Sequence, residues 1–77
     1  MKVIVSEIEF ELRGEFVALC DLLKLTGIAD SGGAGKALVA AGEVSVDGQP
    51  ESRKTAKIRP GQCVVCRGVS VLVKSPA

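Results

Sequence analysis

The strongest constraint on the fold is a pair of helix signals separated by only a few residues. Leu19, Leu22 and Leu23 recur at the spacing of one helix face, and Gly27 ends that pattern. Ser31 follows, and serine is a common residue at the N-cap position of a helix. The sequence therefore predicts two short helices joined by a tight connection.

The second helix signal is followed directly by a strand signal. One face of the predicted helix is lined by Ala34, Ala37, Leu38 and Ala41. Gly42 ends this helix, and Val44 and Val46 then alternate with polar residues as in a strand. Asp47-Gly48 has the composition of a tight hairpin turn. The predicted order is helix, helix, hairpin.

Further strand signals occur at both ends of the chain. From Lys2 to Leu12 apolar and polar residues nearly alternate, with a break near Ser6 where a bulge or a short turn would fit. Near the C-terminus, the sequence predicts a turn at Pro60-Gly61 followed by a strand at Cys63–Cys66. A second turn at Arg67-Gly68 should lead into a last strand at Val69–Val73, and residues 74–77 should form a frayed tail.

The central residues resemble a known family. The segments that carry the resemblance are Leu19–Gly27 (LCDLLKLTG), Asp30–Lys36 (DSGGAGK), Ala41–Gly48 (AGEVSVDG), Glu51–Lys54 (ESRK) and Lys57–Gln62 (KIRPGQ). On these residues the chain is identified as a member of the S-four-type RNA-binding domain, also called the alpha-L RNA-binding motif. It is most similar to the small stand-alone bacterial members, and the resemblance covers roughly Phe16 to Cys66.

The element order and the resemblance together predict an α+β fold. Two short helices should pack on a small, curved, mostly antiparallel sheet. A chain of 77 residues holds one domain with a modest core, so we expect a single RNA-binding domain over residues 1–77 with its core motif at about 16–66.

Charge is unevenly distributed, although the formal net charge is only +1. Residues 1–43 carry four basic and seven acidic side chains, a balance of −3, whereas the remainder carries six basic and two acidic, a balance of +4. A cationic segment suits RNA binding, because phosphate contacts supply most of the sequence-independent affinity for nucleic acids. An ordinary solvated surface gives the same pattern, so charge alone leaves both interpretations open.

The resemblance implies which residues face RNA. In the family this surface comes from the two helices together with the loop after the first hairpin, which is Ser52 to Lys57 in this chain. Ser31 is followed by Gly32 where many members have Arg, so more of the phosphate binding should fall on Lys36 and the 53–59 segment. The predicted RNA-binding residues are Lys24, Ser31, Gly32, Gly33, Lys36, Arg53, Lys54, Lys57 and Arg59.

Aromatic residues are scarce, because Phe10 and Phe16 are accompanied by no Trp or Tyr. The core should therefore consist of aliphatic side chains, and we expect RNA recognition to rest on charge and shape.

The glycines before Lys36 have two interpretations. They do not form a nucleotide-binding P-loop, since Asp30 occupies the position of its first Gly and Ala37 that of its hydroxyl residue. They could let a phosphate approach the N–H groups at the start of the second helix. They could equally relieve crowding between the helices while Ser31 acts only as an N-cap.

Cys63 and Cys66 raise the competing hypothesis of a metal or redox site. In a strand, residues three apart point to opposite faces and cannot bind one ion together. The chain has no His to complete a zinc site, and Cys20 is its remaining thiol. We therefore expect buried strand thiols, with no metal and no cofactor.

The predicted function is non-catalytic binding of structured RNA, with ribosomal RNA, ribosomal particles or transfer RNA as the targets that the resemblance suggests. No acid, base or nucleophile constellation for catalysis is visible in a chain without His. No segment has the length of a membrane span, so we expect a cytoplasmic protein. We also expect it to be a monomer. The alternative is a protein-interaction adaptor that uses its apolar and acidic surface, including Glu7, Glu9 and Glu11.

Overall fold

The computed structural model describes residues 6–75, which form seven strands and two helices. In chain order these are β1 (Ser6–Glu11), β2 (Val17–Ala18), α1 (Leu19–Leu25), α2 (Gly32–Ala40), β3 (Val44–Val46), β4 (Gln49–Pro50), β5 (Lys57–Ile58), β6 (Cys63–Cys66) and β7 (Val69–Lys74).

Five of the strands form one sheet, in the order β1-β7-β6-β3-β4. Its neighbouring strands are antiparallel except for β1 and β7, which run parallel with Ile8 opposite Val71. The two short strands β2 and β5 form a separate antiparallel ribbon. The fold is therefore α+β with a mostly antiparallel sheet, as predicted.

The core lies between the helices and one face of the sheet. Side chains alternate along a strand, so Val71 and Val73 of β7 are buried while Leu72 between them is exposed. The largest fully buried side chains are Leu19, Leu22, Leu23, Val39, Val44, Ile58, Val64, Cys66, Val71 and Val73. All of them except Cys66 are aliphatic, as the scarcity of aromatic residues predicted.

The two predicted hairpin turns share one backbone conformation. The φ angles are 51° and 82° at Asp47 and Gly48, and 51° and 77° at Arg67 and Gly68. Two successive residues with positive φ define the type I′ turn, which matches the twist of the adjoining strands. A carboxylate oxygen of Asp47 also accepts a hydrogen bond from the backbone N–H of Cys63, at 2.9 Å, which ties the first turn to β6.

The predicted helix ends are also confirmed. The Oγ of Ser31 accepts a hydrogen bond from the backbone N–H of Ala34 at 3.1 Å, so Ser31 is the N-cap of α2. Gly27 and Gly42 follow the two helices with φ angles of 81° and 76°, the left-handed conformation in which helices commonly end.

The buried side of α2 differs from the prediction. Gly35, Leu38 and Val39 are buried, whereas Ala37 and Ala41 are exposed. The physical reason is a close approach of the helices, because a Cβ built on Gly35 would lie 2.6 Å from the backbone oxygen of Cys20. Two helices approach most closely where one of them has a glycine, because no Cβ separates the backbones. The spacing of the alanines in the sequence does not show that Gly35 is this point of contact.

The prediction of a frayed C-terminal tail is wrong for Lys74. Lys74 ends β7, and its Nζ donates a hydrogen bond to a carboxylate oxygen of Glu9 at 3.1 Å. The last two residues of that predicted tail lie outside the described residues, as does the part of the predicted N-terminal strand that precedes Ser6.

Candidate nucleic-acid interface

The segment that joins β4 to β5 is held against the first turn of α1. Ala18, the N-cap residue of α1, has no side-chain acceptor for the N–H groups of that turn. The N–H of Leu19 donates instead to the carbonyl of Ala56 at 2.9 Å, and the N–H of Cys20 donates to that of Lys54 at 3.1 Å. The backbone of this basic loop is therefore fixed by α1.

The close contact between the helices brings α2 to the same place. Gly35 packs against the backbone of Cys20, whose own N–H is bonded to the loop at Lys54. Lys36 follows Gly35 directly and is exposed. Its side chain is thus placed beside a loop that lies more than fifteen residues further along the chain.

Together these elements form a cationic surface depression of about 880 Å³. We call it the basic depression; its lining residues are Lys36, Ser52, Arg53, Lys54, Thr55, Ala56 and Lys57. Four of these residues are cationic, and three of the four come from the basic loop and the first residue of β5 that follows it. The structure thus brings together four of the nine predicted RNA-binding residues.

The three lysines of the depression are available to bind an anion. Lys36, Lys54 and Lys57 are exposed. Among residues 6–75, no carboxylate oxygen lies within the 4.0 Å of an ion pair from their amines. Their charge is therefore not neutralised by any described residue.

Arg53 differs, because it forms a two-pronged ion pair with Glu51. Its Nε and Nη2 each donate to a carboxylate oxygen of Glu51 at 3.1 Å, and its backbone N–H donates to the same carboxylate at 3.0 Å. These hydrogen bonds lower the pKa of Glu51 and raise the pKa of Arg53. The pair orders the start of the loop and offsets part of the charge that Arg53 offers to a ligand.

The other predicted residues lie outside the lining of the depression. Lys24 is exposed in the last turn of α1, and Arg59 follows β5. Ser31, Gly32 and Gly33 form the start of α2. A Cβ on Gly32 would meet no atom within 4 Å, and one on Gly33 would meet only the Oγ of Ser31 at 3.8 Å. Of the three glycines before Lys36, it is therefore Gly35 that relieves crowding between the helices.

Sequence reasoning assigned no role to Phe16. Its side chain is 44% exposed, and the Nζ of Lys57 lies 4.9 Å from the centroid of its ring. The sequence did contain a signal for this residue. Phe16 is an isolated aromatic residue after the polar stretch 13–15, and it lies between the predicted N-terminal strand and the first predicted helix.

Cys63 and Cys66 lie on opposite sides of β6, as the strand prediction required. Cys66 is buried, whereas Cys63 is half-buried and its Sγ lies 3.2 Å from the Oγ of Ser70. Neither forms a disulfide, nor does the buried Cys20 of α1. Within residues 6–75 there is no group of three or more side chains that could hold a metal ion, and none of the helices described there is long and apolar enough to cross a membrane.

This arrangement of two packed helices, a mostly antiparallel sheet and a basic loop agrees with the family match. Residues 10–74 match the family described as the S4 domain, so the chain belongs to that family. The match extends beyond both ends of the segment that carried the resemblance in the sequence.

Two individual proteins are similar to this chain, and one of them is compared both by sequence and by structure. YbcJ of Escherichia coli K12, named as a candidate RNA-binding protein, is 53% identical over 57 residues, which are 74% of this chain and 81% of YbcJ. The solution structure of E. coli YbcJ, reported to have an alpha-L motif involved in RNA binding, superposes with a TM-score of 0.64 at 42% identity and covers 96% of this chain and 91% of YbcJ. The ribosomal protein S4e of Thermoplasma acidophilum shares the fold alone, with a TM-score of 0.57 and 24% identity over 75% of this chain and 31% of S4e.

Proposed function

We propose that this chain is a non-catalytic RNA-binding protein that holds structured RNA by its phosphates in the basic depression. The observation that carries the proposal is the cluster of Lys36, Lys54 and Lys57, three exposed amines with no ion-pair partner among the described residues. The description of YbcJ as an RNA-binding protein supports it.

A site built of lysine side chains favours recognition of where the RNA phosphates lie over recognition of the base sequence. Lysine amines bind phosphate oxygens as point charges, and such contacts fix the register of a nucleic acid without reading its bases. RNA helices are recognised mainly by shape and by their phosphates and 2′-hydroxyl groups. The target class is ribosomal or transfer RNA, either free or within ribosomal particles, as the family resemblance suggests, and the protein acts as a cytoplasmic monomer.

The test compares two variants that remove the same amount of charge. The first is Arg53→Ala, Lys54→Ala, Lys57→Ala, within the basic depression. The matched control is Arg13→Ala, Arg67→Ala, Lys74→Ala, whose cations pair with acidic residues elsewhere on the surface. Each variant lowers the formal net charge of +1 by three units. Binding to ribosomal and transfer RNA is measured over a range of salt concentrations.

If each of the four cations of the basic depression contacts one phosphate, a plot of the logarithm of the binding constant against the logarithm of salt concentration should have a slope of about −3. RNA binding should then weaken roughly 100-fold as salt rises from about 50 to about 200 mM. The first variant should retain a slope of only about −1, whereas the control should bind with nearly the wild-type slope. Equal loss in both variants would show that net charge, and not this site, binds the RNA.

Absence of RNA binding by the wild-type protein would overturn the proposal. The alternative would then be a protein-interaction adaptor that uses the exposed acidic residues of β1. Glu9 is already paired with Lys74 at 3.1 Å, and Glu11 lies 3.9 Å from Arg13. Affinity for a protein partner through apolar contacts would change little with salt.

A further inference from the structure

The side chain of Phe16 lies outside the hydrophobic core. The partly buried apolar residues packed against that core include Phe10 but not Phe16, and 44% of Phe16 is exposed. Phe16 is therefore not among the residues that pack the core, and its ring is accessible beside a cationic site.

The strand register explains how the ring comes to lie beside two cations. In the antiparallel ribbon of β2 and β5, Val17 lies opposite Ile58 and Ala18 opposite Lys57. The same register continued by one residue would bring Phe16 opposite Arg59, just beyond the paired strands. Side chains alternate along a strand, which puts Lys57 and Arg59 on one side of β5 while Ile58 is buried on the other. The ring centroid is 4.9 Å from the Nζ of Lys57 and 6.0 Å from the Cζ of Arg59.

Lys57 links this ring to the basic depression, because it lines the depression and also contacts Phe16. A nucleic acid with its phosphates in the depression therefore passes beside the ring. A nucleotide combines a flat π-face with an anionic phosphate, and the site offers an aromatic ring beside two cations. Single-stranded nucleic acids bind in this way, with bases stacked on aromatic side chains and phosphates in a positively charged groove.

We propose that Phe16, with Lys57 and Arg59, stacks an unpaired nucleobase of the bound RNA. The inference rests on the proposed function and narrows it. Bases within an A-form helix are already stacked on one another, so a base can reach Phe16 only at a bulge, a loop or a junction. The ligand is therefore an RNA helix with an unpaired nucleotide beside it.

The rival explanation is that the ring only covers the aliphatic stems of Lys57 and Arg59. Removal of the ring would then change the stability of the protein and weaken the binding of every RNA alike. Stacking makes a different prediction, because the effect of the ring must depend on the presence of an unpaired base.

The experiment uses three RNAs with the same stem: one fully paired, one with a single bulged nucleotide, and one with an abasic site at the bulge. They are titrated with the wild-type protein, Phe16→Ala, Phe16→Leu and Phe16→Trp. Phe16→Leu keeps an apolar side chain without a π-face, and Phe16→Trp keeps the π-face. Leu72→Ala is the matched control, since Leu72 is 42% exposed on the outer face of the sheet.

Wild-type protein should prefer the bulged RNA to the other two by about five- to 150-fold, the range for one stacked base. Phe16→Ala and Phe16→Leu should lose this preference, whereas Phe16→Trp and Leu72→Ala should keep it. The salt dependence should be unchanged in Phe16→Ala because no phosphate contact is lost, whereas Lys57→Ala should reduce the slope by about 0.7 to 0.9. A fluorescent adenine analogue at the bulge should change its emission on binding to wild-type protein but not to Phe16→Ala.

Equal affinity of wild-type protein for the bulged, abasic and fully paired RNAs would overturn the stacking proposal and leave RNA binding in place. The same holds if Phe16→Leu retains the full preference for the bulge. Failure of wild-type protein to bind any of the three RNAs would overturn both the stacking proposal and the proposed function.

Discussion

Gly35→Ala tests the contact that places Lys36 beside the basic loop. The added Cβ would lie 2.6 Å from the backbone oxygen of Cys20 and 3.2 Å from its Cα. Both atoms belong to the backbone of α1, so no side chain can rotate away and one helix must shift. Overpacking of this kind costs about 1–3 kcal/mol.

Helix propensity works in the opposite direction. Replacing Gly with Ala inside a helix contributes roughly 0.5–1 kcal/mol of stability. The clash is with backbone atoms, so we take the cost to lie in the upper part of its range and expect a net destabilisation of about 1–2 kcal/mol. For a domain of this size, that corresponds to a decrease in Tm of roughly 5–15 °C.

The assay is urea and thermal unfolding followed by circular dichroism, with Gly32→Ala as the matched control in the same helix. A Cβ at Gly32 meets no atom within 4 Å, so this variant should be as stable as wild type or more stable by up to about 1 kcal/mol. If Gly35→Ala were as stable as Gly32→Ala, the close contact between the helices would be refuted, and with it the explanation for the position of Lys36.

Three further predictions concern the helix cap and the ion pair of the loop. Ser31→Ala should reduce the free energy of unfolding by about 1 kcal/mol through loss of the cap, and Ser31→Asp should restore it, as measured by urea unfolding. In a carbon NMR titration the Glu51 carboxyl should have a pKa below its ordinary value of 4.5, and Arg53→Ala should raise this pKa only part of the way back, because the backbone N–H of residue 53 still donates to the carboxylate. Because the folded pKa is the lower one, the ion pair stabilises the protein above about pH 4.5, and this stabilisation is lost as pH falls through the folded pKa of Glu51. Glu51→Gln should remove the carboxylate that competes for Arg53 and so strengthen RNA binding at low salt, while the slope stays close to the wild-type value because the number of phosphate contacts is unchanged. Unchanged binding in this variant would show that the ion pair with Glu51 does not compete with phosphate for Arg53.

Local signals were sufficient to predict the central elements. The ends of the helices at Gly27, Ser31 and Gly42, and the turn at Asp47-Gly48, each depend on the conformational preference of one or two residues. Such preferences can be read from sequence because they do not depend on distant contacts.

Features that depend on distant contacts could not be predicted in this way. The parallel pairing of β1 with β7 joins the two ends of the chain, and alternation of residues within each strand does not specify the partner. The buried side of α2 follows from the approach of Gly35 to Cys20, which a count of apolar residues does not reveal. The ion pair of Arg53 and the exposure of Phe16 follow in the same way from the path of the loop and of the short ribbon.

Amide NMR spectra of labelled protein titrated with a structured RNA would show whether RNA phosphates bind in the basic depression. The largest shifts should occur at Lys36 and residues 52–57 and should decrease as salt rises, while the outer face of the sheet is little affected. Shifts confined to β1 and the outer face of β7, or shifts that do not depend on salt, would contradict phosphate binding in the basic depression.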